Sequence, residues 1–144
     1  PRVYLPVYTP PVPAPPRSLS EKTIWVMDRD PLVRETLSLL IRQEGGRVED
    51  FATLRDLLKR SRDAAPPALL VLERQPQLER FQFALRKFSR DPLPTLVLGS
   101  GQALPLDPSA FGLHQVGFLD KPFPSQDFIQ SLLALLQAAA PVGS

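Results

Sequence analysis

The sequence predicts an α/β fold, a doubly wound sheet of five parallel strands with helices on both faces. Three observations carry this. Short apolar runs such as Thr23–Met27 (TIWVM) and Ala68–Leu72 (ALLVL) lack polar/apolar alternation, as strands covered on both faces do. Most of the segments between such runs repeat their apolar residues at helical spacing. The strand runs end in acids or glycines, and a helix start often follows directly. Strands alternating with helices in this way are joined by right-handed crossovers.

The first strand is Thr23–Met27, with Trp25 in the core. Asp30 is a good N-cap, and Pro31 suits the first helical position because its missing N–H has no intrahelical partner there. The first helix runs to about Gln43, with Val33, Leu37, Leu40 and Ile41 inward and Gly45-Gly46 as its stop. A short second strand lies near Arg47–Ala52. Thr53 then caps a helix whose inner face is Leu54, Leu57 and Leu58. Pro66-Pro67 ends that segment, and the third strand, Ala68–Leu72, leads to Glu73. A helix over Gln77–Phe88 turns Leu78, Phe81, Ala84, Leu85 and Phe88 inward. The fourth strand, Thr95–Leu98, ends in Gly99-Ser100-Gly101. An irregular stretch, Gln102–Val116, holds a helical turn or two near Pro108–Leu113 and places His114 in a loop. The fifth strand, Gly117–Leu119, runs into Asp120-Lys121-Pro122. Ser125 caps a last helix from Gln126 to about Ala139.

Composition narrows the function. The chain has 144 residues, enough for one domain with a real core. Seven of its 18 prolines fall within the first 16 residues, so residues 1–17 read as a proline-rich linker. Its PxxP spacings and the Val-rich start with Tyr4 and Tyr8 leave docking as the alternative. The domain then covers residues 18–140, with 141–144 as a tail. Arg2 and Arg17 carry the whole net charge of +2, and from Ser18 onward bases and acids balance. That balance argues against a nucleic-acid surface. There is no cysteine and one histidine, which excludes disulfides, thiolate metal sites and histidine-rich ones. No stretch is long and apolar enough for a membrane span. A chain starting with Pro reads as part of a longer protein, expected to be cytoplasmic, with a further domain upstream.

In parallel sheets ligands bind outside the carboxyl ends of the strands. With strand order 2-1-3-4-5, that places Asp28 and Arg29 after the first strand, Glu73 after the third and Lys121 after the fifth around one switch point. The stretch from Glu21 to Ala139 resembles the receiver domain of two-component response regulators, which has a flavodoxin-like fold. The resemblance is carried by Ile24–Val33 (IWVMDRDPLV), Pro67–Glu73 and Gly117–Phe123 (GFLDKPF). It implies a carboxylate pair holding Mg²⁺, a phosphoacceptor aspartate after the third strand, a hydroxyl residue after the fourth and a lysine after the fifth. Carried over position by position, this is a damaged site. Asp28 keeps the first acid, but Arg29 stands where the second acid and direct metal ligand belongs. Glu73 replaces the phosphoacceptor. Gly99 falls at the hydroxyl position, with Ser100 serving if the register slips by one. Lys121 is kept, and the aromatic switch position is Phe118.

The changes agree physically. Mg²⁺ requires oxygen ligands, whereas arginine offers only donors and a fixed positive charge. Glu73 carries one methylene more than aspartate, shifting its carboxylate by roughly an ångström, a misplacement that can cost about a hundredfold in rate. The expectation is a pseudo-receiver with no catalytic residue, no metal and no cofactor, in which Arg29 and Lys121 neutralise Asp28 and Glu73. Asp28, Asp30 and Glu73 remain the alternative as a weak Mg²⁺ site. Phe128, Ile129, Leu132, Leu133, Leu135 and Leu136 cover a wider arc than one sheet face needs. Phe128, Leu132, Leu135 and Leu136 are therefore the candidate interface for a protein partner or a homodimer, on the face of the fourth strand and last helix. The alternatives are a phospho-accepting receiver and a haloacid-dehalogenase-type phosphatase reading of Asp28-x-Asp30.

Overall fold

The computed structural model describes residues 19–75, 93–100 and 116–139. The linker 1–17, the helix over 77–88, most of the irregular stretch with His114, and the tail 141–144 lie outside them. The described residues form five strands: β1 (Thr23–Met27), β2 (Arg47–Phe51), β3 (Leu69–Glu73), β4 (Thr95–Ser100) and β5 (Val116–Lys121). They form one parallel sheet in the order β2-β1-β3-β4-β5. The described helices are α1 (Pro31–Gln43), α2 (Leu54–Ser61) and α3 (Ser125–Ala139).

Successive residues of a strand point to opposite faces, and here both faces are apolar. Ile24 and Val26 of β1, Leu69 and Val71 of β3, and Leu96 and Leu98 of β4 pack on one side with Leu37 and Ile41 of α1 and Phe128 and Leu132 of α3. Trp25, Met27, Leu70, Leu72 and Val97 face the other side, against Leu54 and Leu57 of α2. Trp25 is buried and meets the Phe51 ring at 5.4 Å between centroids. The sheet is thus covered on both faces, as the unbroken apolar runs require.

Local chemistry sets the helix starts. Asp30 caps α1 by accepting from the Leu32 N–H at 2.9 Å, and Pro31 opens the helix. Thr53 caps α2 through the Asp56 N–H at 3.1 Å. At α3 the expected Ser125 cap is displaced by one residue. Ser125 is already helical, and the Pro124 carbonyl accepts from the N–H groups of Asp127 and Phe128. Gly46 is required where α1 turns into β2, because a Cβ there would lie 2.7 Å from Ile41 Cγ2. Strand β4 runs two residues beyond the expected Leu98, and β5 extends to Lys121 because Gly99 and Ser100 pair with Asp120 and Lys121. Arg60 of α2 grips β2 through Glu49 at 2.8 Å, and that hydrogen bond raises the arginine pKa. No helix among the described residues is long and apolar enough to cross a membrane.

Two residues of the candidate interface on the last helix, Phe128 and Leu132, need correction. Phe128 and Leu132 are fully buried against the sheet. Leu135 and Leu136 are only partly buried, beside the same cluster. The wide apolar arc arises because α3 settles between the sheet and α1, so its inner leucines have two neighbours to cover. Phe128→Ala should therefore lower folding stability by about 3–5 kcal/mol in urea unfolding of the monomer. A loss below ~1 kcal/mol would return Phe128 to the surface.

Candidate functional site

The site lies at the carboxyl ends of β1, β3 and β5, where parallel register brings their last residues to one level. β1 and β3 are neighbours, so Asp28 and Arg29 emerge beside Glu73. Lys121 ends β5, two strands away from β3, and only a long side chain can close that gap.

Asp28 has no exposed surface. Its Oδ2 accepts from Lys121 Nζ at 2.6 Å, and its Oδ1 accepts from the Asp30 N–H at 2.9 Å. Glu73 Oε1 accepts two bonds from one residue: the Arg29 backbone N–H at 3.0 Å and Nε at 3.1 Å. Its Oε2 lies 3.8 Å from Lys121 Nζ. Lys121 thus sits between both carboxylates, and Arg29 closes the far side of Glu73. Two acids and two bases form one neutral cluster, with a donor or a positive charge facing every carboxylate oxygen.

The two halves of the cluster differ in environment. The Lys121 side chain is 24% exposed and its partner Asp28 is 0% exposed, so this pair works with little solvent screening. The Arg29 side chain is 70% exposed, so its pair with Glu73 is screened and contributes little on its own. What holds Arg29 in place is the backbone N–H as much as the charge.

The structure brings together Asp28, Arg29, Glu73 and Lys121 as the sequence predicts. Asp30 stands apart, because its carboxylate caps α1. Gly99 lies near the end of β4 opposite Asp120, and a Cβ there would sit 3.0 Å from Asp120 Oδ1, a close contact that the exposed Asp120 side chain would have to yield to. Ser100 pairs in register with Lys121. Phe118 lies in β5 and is 45% exposed. Among the described residues no three His, Cys, Asp or Glu side chains converge as a metal site would require.

Sequence reasoning missed Arg34. Its Nη1 donates to the Asp28 carbonyl at 2.8 Å and its Nε lies 3.4 Å from Asp50 Oδ2, binding the β1 end to α1 and β2. The available signal was a base near the start of α1, where the helix dipole disfavours positive charge unless a partner holds it.

These contacts rank the side chains. Lys121→Met leaves Asp28 buried without its cation and should cost about 3 kcal/mol or more in urea unfolding. Arg29→Ala should cost no more than ~1 kcal/mol, and a double-mutant cycle with Glu73→Gln should give a coupling of about 0.5 kcal/mol. Equal losses for Lys121→Met and Arg29→Ala would contradict this ranking.

No protein-family model matches the chain, and neither does any curated protein sequence. Solved structures do match it. A response regulator receiver protein from Sinorhizobium medicae is 17% identical, aligns over 83% of this chain and 98% of its own, and has a TM-score of 0.69. The chemotaxis response regulator CheY4 of Vibrio cholerae is 20% identical over 81% of this chain and 99% of its own, with a TM-score of 0.67. Full-length FixJ from B. japonicum is 25% identical over 85% of this chain and 61% of its own, with a TM-score of 0.70. At these identities the likeness is one of architecture, and it agrees with the observed strand order. The chain has the flavodoxin-like fold of response regulator receiver domains.

Proposed function

We propose that this chain is a receiver-type signalling module that has lost phosphoacceptor chemistry and works by binding another protein. The observation that carries the reading is the Arg29 guanidinium and backbone N–H on Glu73 Oε1, where a metal-dependent receiver would need oxygen ligands. Mg²⁺ demands near-octahedral oxygen at about 2.0–2.1 Å. Asp28 and Glu73 instead face an ammonium, a guanidinium and two backbone donors, and Asp30 is turned to its own helix. This donor set does not fit Mg²⁺, so metal-assisted phosphoryl transfer has no support at this sheet end. Glu73 acts as a permanent negative group, neutralised from within.

The surface for binding is the end of the sheet formed by β4, β5 and α3. The Phe118 ring is exposed beside an apolar groove of about 230 Å³ lined by Leu96, Gly117, Ser131, Ala134 and Leu135. Gly117 keeps the groove open, since a Cβ there would press on Leu135 Cδ1 at 3.3 Å. The partner is a second copy or another protein. The match to only part of full-length FixJ suits a module carried with other domains in one cytoplasmic polypeptide. Nucleic-acid binding, membrane binding and catalysis form no part of this function.

Incubation with a small phosphodonor and Mg²⁺, read by intact mass, separates this from a working receiver. The expected spectrum shows no phosphoryl adduct. A stoichiometric adduct on Glu73, absent in Glu73→Gln, would overturn the proposal.

A further inference from the structure

Helix α1 packs Leu37 and Ile41 fully, and Val33 and Leu40 partly, against the core. A helix with one face on a sheet is ordinarily polar on the other. Here Leu32 and Leu39 stand 68% and 54% exposed on the outer side, and Glu35 and Arg42 are exposed beside them. Positions 32, 35, 39 and 42 follow the alternating three-and-four spacing that draws one straight seam along a helix. Among the described residues neither Glu35 nor Arg42 has an ion-pair partner. They lie about 10 Å apart along the axis, too far to neutralise each other within one copy.

The seam is symmetric in a way that one helix alone does not use. Helix α1 spans Pro31–Gln43, so its midpoint is Leu37. Leu32 and Arg42 lie equally far to either side of that midpoint, and so do Glu35 and Leu39. A second α1 laid antiparallel across it, with a two-fold axis at the midpoint, sets Glu35 beside the partner's Leu39 and about one turn from the partner's Arg42. Leu32 then rests on the stem of the partner's Arg42 and next to the partner's Leu39. Two identical patches result, each joining a leucine contact to a Glu35–Arg42 ion pair. A parallel pairing would instead set Glu35 against Glu35 and Arg42 against Arg42, so charge selects the antiparallel one. That arrangement also opposes the two helix dipoles.

We infer that α1 is a self-association surface, which pairs antiparallel with α1 of a second copy of this chain through Leu32, Leu39 and the Glu35–Arg42 ion pairs. Three turns of one helix bury less than the about 800 Å² per partner of a standard interface, so the pairing is weak and depends on concentration. Helix α1 packs on β1 and β2, whereas the apolar groove lies at β5 on the far edge of the sheet. Pairing through α1 therefore leaves that groove free.

Charge reversal tests this on the intact chain, because all four positions are exposed. Raising the unaltered chain into the millimolar range should slow its diffusion and shift the amide signals of Leu32, Glu35, Thr36, Leu39 and Arg42. Glu35→Arg sets like charges against each other at both symmetric contacts, and so does Arg42→Glu. Each alone should weaken association about tenfold. An equal mixture of these two variants restores both ion pairs between unlike copies and should regain the original association, as should the double variant Glu35→Arg/Arg42→Glu. Leu32→Ser/Leu39→Ser, with a native-like spectrum, should abolish it. Absence of concentration-dependent shifts on α1, shifts that survive either single reversal, or single variants that fail to associate when mixed would each overturn the inference. Shifts centred on Phe118 and Ser131 would place self-association in the groove and overturn it as well.

Discussion

Two carboxylates at the ends of adjacent parallel strands repel each other, and a fold that keeps them must place positive charge between them. Here that charge is covalently part of the chain. Lys121 reaches from β5 across the sheet end to the buried Asp28 and leans toward Glu73, and Arg29 holds Glu73 from the other side. The arrangement ties together the ends of three strands that share no direct hairpin. It also makes the local charge balance independent of any dissociable ion.

This clasp depends on the layers beneath it. Because β1, β3 and β4 are apolar on both faces, helices must cover both, and the charged groups of these strands fall at their carboxyl ends. Asp28 cannot move out to solvent, since β1 is a central strand and the Asp28 N–H continues its ladder to the Phe51 carbonyl. Arg34 fixes the same turn through the Asp28 carbonyl. Arg29, 70% exposed, is the solvent-screened member of the cluster, whereas Asp28 and Lys121 meet with little solvent between them.

Much of this was legible in the sequence, for identifiable reasons. Strand β1 is a nearly unbroken apolar run, and α1 and α2 begin at side chains whose capping chemistry is unambiguous, so the bounds of β1 and the starts of both helices were readable. Strand β3 (Leu69–Glu73) instead lies one residue later than the expected Ala68–Leu72, because Glu73 still pairs with Leu98 of β4. The meeting of Arg29 with Glu73 follows from the strand order and the parallel register. Periodicity served less well at α3. A leucine-rich helix reads as apolar on most of its circumference, and only the structure distinguishes Phe128 and Leu132, buried against the sheet, from the half-covered Leu135 and Leu136. The extra length of β4 and β5 was hidden because Gly99, Ser100 and Asp120 have poor strand propensity and are held by pairing with each other's strands. Arg34 was overlooked because its partners are a backbone carbonyl and an acid on another strand, neither visible as a motif.

The Arg29 guanidinium and the Lys121 ammonium fill this sheet end with positive charge. The sharpest check is to titrate the intact chain with Mg²⁺, with and without beryllofluoride, while following heat and the amide signals of Asp28, Arg29 and Glu73. No saturable heat and no site-specific shifts are expected, with Arg29 still bonded to Glu73. Saturable binding with shifts centred on Asp28 and Glu73, and an octahedral ion beside them in crystals grown with magnesium, would contradict this arrangement.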